Sequence, residues 1–214
     1  MAFTTRTRSA MNNMYRSTRH IYDFTRKYYL LGRDHLIQNL NAQDGENICE
    51  IGCGTARNLI KLKHRYPTAN IYGLDASDEM LKTAQKSIGT LDITIKQAFA
   101  QTFPPKDTFG LTKPFTKFIF SYALSIIPPW KKSLNHALDL LPQNGEIHIV
   151  DFGGQEGFPP FIRKFIFWWL KIFHVKHKPQ ILKHLQELEK TGQGTLTVKH
   201  LYKGYAYLAI FKKA

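Results

Sequence analysis

Cysteine is scarce: Cys49 and Cys53 are the only two in 214 residues, which excludes a disulfide framework and a four-thiolate zinc site. Both are expected as small buried side chains in a reducing compartment. Long apolar runs are missing too. No stretch reaches the roughly 20 apolar residues that span a bilayer; the nearest, FPPFIRKFIFWWLKIFHVKH over 158–177, is broken by Arg163, Lys164 and Lys171. The basic, hydroxyl-rich N-terminal stretch MAFTTRTRSAMNNMYRSTRH lacks the apolar segment of a secretory signal, so a cytoplasmic protein is expected. Acids are few, 16 against 30 Lys and Arg, and the formal charge of +14 predicts attraction to nucleic acid or an anionic membrane surface. No internal repeat, low-complexity tract or Pro/Gly/Ser linker divides the chain, so its length fits one α/β domain with appendages.

What is present alternates. From residue 47, short β-rich runs exchange with longer helical ones: NICEI, RNLIKLKHRY, NIYGLD, SDEMLKTAQKSI, DITIKQAF, TKFIFSYAL, WKKSLNHALDLL and GEIHIVDF. This is the grammar of a parallel sheet covered on both faces. LPQNGE supplies the turn before the last of these strands. The final segment, GTLTVKHLYKGYAYLAIFKKA, reads as two antiparallel strands joined near Lys203 and Gly204. Residues 1–44 are helix-prone and predict an N-terminal helical cap on a core of 45–214.

The stretch CEIGCGTARN, 49–58, carries the first chemical signal. Gly52 and Gly54 allow a tight turn and close approach of a ligand, and Thr55 is placed to begin the next helix. A dinucleotide site would want a third glycine where Arg57 stands, and a P-loop would want Gly-Lys-Ser/Thr. Glu50, at the tip of the strand, would repel a pyrophosphate but pair with an ammonium. Asp75 closes the next strand 21 residues after Gly54, where an acid commonly accepts hydrogen bonds from ribose hydroxyls. A ribose and an ammonium without phosphates describe S-adenosylmethionine. Glu50 as a solvated strand-end acid and Asp75 as a helix cap are the plain structural alternatives.

ICEIGCGTARN, YGLDASDEML and LPQNGEIHIVDF together resemble the successive motifs of class I S-adenosylmethionine-dependent methyltransferases. The resemblance covers about residues 45–214 and implies a Rossmann-like, mostly parallel seven-stranded sheet with helices on both faces, a C-terminal antiparallel hairpin and an N-terminal helical extension. It implies S-adenosyl-L-methionine as cofactor, held by Tyr28, Glu50, Gly52, Gly54, Thr55, Asp75, Ala76, Met80, Ala100, Gln101 and Ser121, with no metal. Two departures stand out. The third motif glycine is Ala56, and the acid that many members place after the third strand is absent from QAFAQTF, leaving Gln101 or the backbone near Ala100 for the adenine.

HIYDFTRKYYLLGRD and SYALSIIPPW are similar to bacterial diacylglycerylhomoserine N-methyltransferases, which trimethylate that lipid's amine to a betaine lipid. This resemblance implies Tyr22, Tyr29 and Tyr122 around the growing cation, and Arg33 or Arg26 on the substrate carboxylate. Tyrosines at such spacing are as readily packing residues. Over 161–173, Phe161, Ile162, Phe165, Ile166, Trp168, Trp169, Ile172 and Phe173 form one broad apolar face in helical projection, opposite Arg163, Lys164 and Lys171. That pattern suits a helix lying on an anionic membrane surface, and equally a core-facing helix or a dimer contact. Phosphatidylethanolamine, a small soluble amine or RNA are the alternative acceptors. No RNA-binding module is recognisable and nucleic acid is not expected; oligomeric state is left open.

Overall fold

The computed structural model describes residues 30–172 and 177–214. Tyr22, Tyr28, Tyr29 and the greater part of the expected N-terminal cap lie outside the described residues. The last part of that segment forms a short helix, α1 (Arg33–Gln38), which follows Gly32 in left-handed backbone (φ 86°).

The remaining elements follow in βαβ order: β1 (Asn47–Ile51), α2 (Arg57–Arg65), β2 (Asn70–Asp75), α3 (Asp78–Ile88), β3 (Ile93–Gln97), α4 (Pro105–Phe109), β4 (Lys117–Ser121), α5 (Trp130–Leu140), β5 (Glu146–Phe152), α6 (Pro160–Ile172), α7 (Gln180–Lys190), β6 (Gly194–Leu201) and β7 (Ala206–Lys213). The seven strands order as β3-β2-β1-β4-β5-β7-β6. The first five are parallel; β7 enters antiparallel beside β5, with Phe152 opposite Ala206, and β6 closes the edge. The expected sheet, two-sided helical cover and C-terminal hairpin are all present.

Side chains alternate between two cores, as the two-residue pleat requires. Ile48 of β1, Ile119 of β4 and Val150 of β5 meet α1, α2, α3 and α6 on one face. Cys49, Ile51, Phe118, Phe120, Ile147 and Ile149 meet α5 and α7 on the other. β1 is buried at all five positions, as a parallel strand covered on both faces requires. Cys49 and Cys53 are buried free thiols, as expected.

At the amino ends of the strands, Lys117 Nζ reaches Glu146 at 3.1 Å and Glu46 at 3.6 Å, and His148 Nε2 lies 2.9 Å from Glu146. At the opposite, carboxyl rim, the β6–β7 turn places Tyr202, Lys203 and Gly204 successively at φ 51°, 56° and 81°. The β5–α6 connection runs alongside this turn: Gln155 N donates to Gly204 O (2.9 Å) and Gly157 N to Lys203 O (3.0 Å).

α6 differs from the broad single face expected from its pattern. Leu170 enters the core, with Ile166 and Trp169 packed against it. Phe161, Phe165 and Trp168 instead point outward, 74%, 61% and 59% exposed. The helix therefore has two apolar stripes, one covered and one open, with Lys164 and Lys171 bordering the open one rather than opposing it. No described helix is long and apolar enough to cross a membrane.

Candidate active site

The chain order reverses where β1 and β4 are neighbours in the sheet but not in the chain, with α2 leaving β1 on one face and α5 leaving β4 on the other, the point at which open α/β sheets bind ligands. β1 ends at Ile51 and turns immediately. Gly52 (φ 76°) and Gly54 (φ 54°) both occupy left-handed backbone, and a Cβ on Gly52 would lie 3.0 Å from that of Ala123. The amides of Gly52 and Cys53 donate to Leu74 O at 2.8 and 3.0 Å, folding the turn onto the end of β2.

Thr55 does not cap the helix. Ala56 is the N-cap, in left-handed backbone at φ 67° and without a side-chain cap; Thr55 stands half-buried before it. Alanine pays roughly 1–2 kcal/mol in that region. Position 56 is therefore where a third glycine would relieve the backbone, and the motif's departure there is a conformational as well as a volume change.

Glu50 is 2% exposed. Its Oε1 accepts from Asn58 Nδ2 at 2.7 Å, while Oε2 is buried with no hydrogen-bond partner. Burial pushes its carboxyl up to about 7, against the pull of the Asn58 hydrogen bond and the Arg33 charge. Asn58 was not anticipated; its signal is a polar residue on the buried side of an otherwise apolar helix start. Asp75 is bound on both oxygens: Gly54 N donates to Oδ2 and Ser77 N to Oδ1, each at 2.9 Å. Its carboxylate thus welds the first turn to the second. A carboxylate at the tip of the second strand is the kind of group that accepts from ribose hydroxyls.

Ser77 caps α3 by accepting from Met80 N at 3.4 Å, and Met80 is buried beneath the rim. Ala76 O accepts from Gln97 Nε2 at 3.2 Å, joining the ends of β2 and β3. Ala100 is buried and Gln101 half-buried in the turn that follows. At the end of β4, Ser121 Oγ is a second buried polar atom without a partner.

Tyr122 departs from the open aromatic wall expected of it. The ring is 1% exposed and packs edge-on against Phe152 with centroids 4.6 Å apart, and the hydroxyl donates to Leu31 O. Its backbone is left-handed, φ 56°, a state a bulky residue keeps only when its surroundings impose it. Arg33 follows two residues after Leu31, and its charge acts on both Glu50 and Tyr122. Behind the loop, Asp151 is buried and accepts from Ser125 N (3.0 Å) and Phe152 N (2.8 Å). Lys178 Nζ donates to Leu124 O at 2.8 Å and Ile127 O at 3.2 Å. The Ser125–Asp151 and Lys178 anchors also escaped the sequence, because each joins segments at least 26 residues apart. A shallow groove of about 500 Å³ lined by Asp34, Ile37, Lys61 and Arg65 lies on the α1–α2 flank; its walls include none of the expected site residues.

The donors and acceptors of the rim fit S-adenosylmethionine. An unpartnered buried carboxylate oxygen costs about 1–3 kcal/mol or more, a penalty that a ligand ammonium at Glu50 would cancel. The glycine turn admits close approach, and Asp75 places a carboxylate at the tip of β2. When bound, the cofactor supplies an electrophilic methyl on a sulfonium centre.

Comparison with known proteins agrees with this geometry. Residues 48–145 match the methyltransferase domain family model. Malonyl-[acyl-carrier protein] O-methyltransferase 1 of Ilyobacter polytropus is 29% identical over 115 residues, 52% of this chain and 40% of that protein. The chain spans 35–42% of the length of the curated relatives it matches. Among solved structures, the plantazolicin methyltransferase BpumL, in complex with a triazolic desmethylPZN analog and SAH, superposes with a TM-score of 0.69 at 12% identity. That match covers 100% of this chain and 99% of BpumL. Phosphoethanolamine N-methyltransferase 2 of Haemonchus contortus, in complex with S-adenosyl-L-methionine, gives 0.60 at 16% identity, covering 79% of this chain and 38% of that one. At such identities these likenesses establish the fold. The chain has the fold of the class I S-adenosylmethionine-dependent methyltransferases, and its residues 48–145 are similar to a methyltransferase domain.

Proposed function

We propose that the protein transfers methyl groups from S-adenosylmethionine to the amine of diacylglycerylhomoserine, building a trimethylated betaine lipid at the inner membrane face. In this reading Glu50 holds the cofactor's ammonium and Asp75 its ribose. Gly52, Gly54, Ala76, Met80, Ala100, Gln101 and Ser121 line the cofactor's path. Residues 1–44 act as a cap over the core, and Arg33 meets the acceptor's carboxylate with paired donors. Methyl transfer to an amine needs an in-line approach and a deprotonated nitrogen, so positioning is the main demand on the protein.

One observation carries the acceptor reading. The two segments that resemble the betaine-lipid enzymes, ending YYLLGRD and beginning SYALSIIPPW, are distant in sequence, yet Tyr122 of the second donates its hydroxyl to Leu31 of the first. That pairing favours a single acceptor site built jointly by the N-terminal segment and the loop after β4. Tyr122 acts there as a latch, in place of the cation-facing wall first expected.

The test is a mass spectrum of lipids after incubation with S-adenosylmethionine and vesicles carrying diacylglycerylhomoserine or phosphatidylethanolamine. Mono-, di- and trimethylated homoserine lipid supports the reading. Methylated phosphatidylethanolamine alone replaces it with phospholipid methylation, and cofactor binding without any lipid product refutes it.

A further inference from the structure

The described residues with large apolar side chains open to solvent are Leu31, Phe161, Phe165, Trp168 and Tyr202. Phe161, Phe165 and Trp168 follow i, i+4, i+7 spacing and form a single stripe along α6. The Phe165 and Trp168 ring centroids lie 5.8 Å apart. The stripe is held from behind: Leu170 is 1% exposed, and Ile166 and Trp169 pack on the core. It is thus a fixed surface of the folded domain.

Its position follows from the topology. α6 begins after the carboxyl end of β5, at the same rim as the glycine turn. β7 is antiparallel to β5, which returns the β6–β7 turn to that rim as well. The hydrogen bonds from Gln155 and Gly157 to this turn tie the start of α6 to the residues that flank Tyr202. Leu31, the acceptor of the Tyr122 latch, lies at the rim too.

The charge is one-sided. Between Glu156 and Glu187 the chain has no acidic residue and six Lys or Arg, among them Arg163, Lys164 and Lys171. Arg163 lies with its guanidinium carbon 5.7 Å from the Phe167 ring centroid. Exposed Phe and Trp bordered by lysines match the boundary between headgroups and acyl chains of an anionic leaflet. A second copy of this chain fits less well, since a twofold contact through this stripe would bring the same cations together. We infer that the open face of α6 together with the Tyr202 turn docks the domain on an anionic lipid surface, with the carboxyl rim and its acceptor entrance turned toward the bilayer. The orientation has its use under the lipid-acceptor reading above, on which it rests.

The test is flotation of the full chain with phosphatidylcholine vesicles with and without phosphatidylglycerol, at low and high salt. Each basic residue near an anionic surface contributes about fivefold in partitioning. K164E/K171E is therefore expected to lose at least about 25-fold on the anionic vesicles, and F165S/W168S about tenfold or more. The four positions are exposed, so circular dichroism should confirm intact folding. Wild-type flotation that is lost in both variants and weakened by salt supports the proposal. Absent wild-type binding overturns it, as does equal binding by the variants or a wild-type dimer that W168S disperses without any vesicle binding. Methylation of diacylglycerylhomoserine in detergent micelles separates the two ideas. If wild type methylates the micellar lipid but ignores vesicles, docking fails and the acceptor reading stands. If it binds vesicles but methylates no lipid, the docking surface stands and the acceptor reading fails.

Discussion

Replacing Glu50 by Gln should make the protein more stable and much weaker in binding its cofactor. The wild-type carboxyl is raised by burial from 4.5 to about 7. Its ionised form is thus disfavoured by folding, and the penalty is absent below about 4.5 and complete above about 7. At 1.36 kcal/mol per pH unit the full penalty is about 3 kcal/mol. E50Q removes it, so denaturant unfolding above pH 7 should show a gain of up to about 3 kcal/mol, shrinking toward zero as the pH falls to about 4.5. Cofactor binding moves the other way. A ligand ammonium pairs with the carboxylate, so wild-type affinity should fall about tenfold for each pH unit below 7, and E50Q should be flat over that range. Loss of a charged hydrogen bond is worth about 1.5–3 kcal/mol, roughly a 10- to 150-fold rise in Kd at pH 7. Calorimetric titration with S-adenosylhomocysteine at several pH values reads both. A pH-independent wild-type affinity, or E50Q binding as tightly as wild type, would refute the role given to this carboxylate.

At the other end of the sheet, the hydrogen bond from His148, with support from Lys117 and against the effect of burial, holds the Glu146 carboxyl down at about 2. Its stabilisation is present above about 4.5 and lost as pH falls through 2; with partial solvent screening about 2 kcal/mol should disappear, and the acid limb of wild-type unfolding should flatten in E146Q. Tyr122→Phe removes only the hydroxyl that holds Leu31 O. It should cost about 1 kcal/mol and speed amide exchange and proteolysis around residues 30–38 with little change in the sheet. The turn at Tyr202 and Lys203 holds two side chains in left-handed backbone; Tyr202→Asn with Lys203→Gly should gain about 1 kcal/mol and raise Tm by a few degrees, while weakening vesicle flotation.

The interior strands of the parallel sheet are the most legible in the sequence. NICEI and NIYGLD match β1 and β2 to the residue, because parallel strands covered on both faces are short, β-rich and sharply punctuated. α7 escapes the sequence reading, although Ile181, Leu185 and Leu188 bury one helical stripe; a three-turn helix between Pro179 and the hairpin leaves few repeats to detect. In α6 the period is visible but not the cover, since periodicity orders side chains around an axis without showing which half meets the core. Glu50, Gly52, Gly54 and Asp75 are legible from residue type at strand ends. The pairing of Tyr122 with Leu31 spans 91 residues, so the chain near either partner carries no sign of it.

The two ends of the sheet differ in how completely their polar groups are matched. Lys117 engages Glu146 and Glu46, and His148 Nε2 engages Glu146, at the amino end, where His148 Nδ1 is unmatched, whereas Glu50 Oε2, Ser121 Oγ, Gln155 Oε1 and Tyr207 OH are all left unmatched toward the carboxyl end. Local opening should accordingly begin at the carboxyl end and spread down the strands, with amides near Lys117 and Glu146 the last to exchange. A ligand that supplies the missing partners would act as a clamp on that fraying end, slowing exchange in turns it never touches.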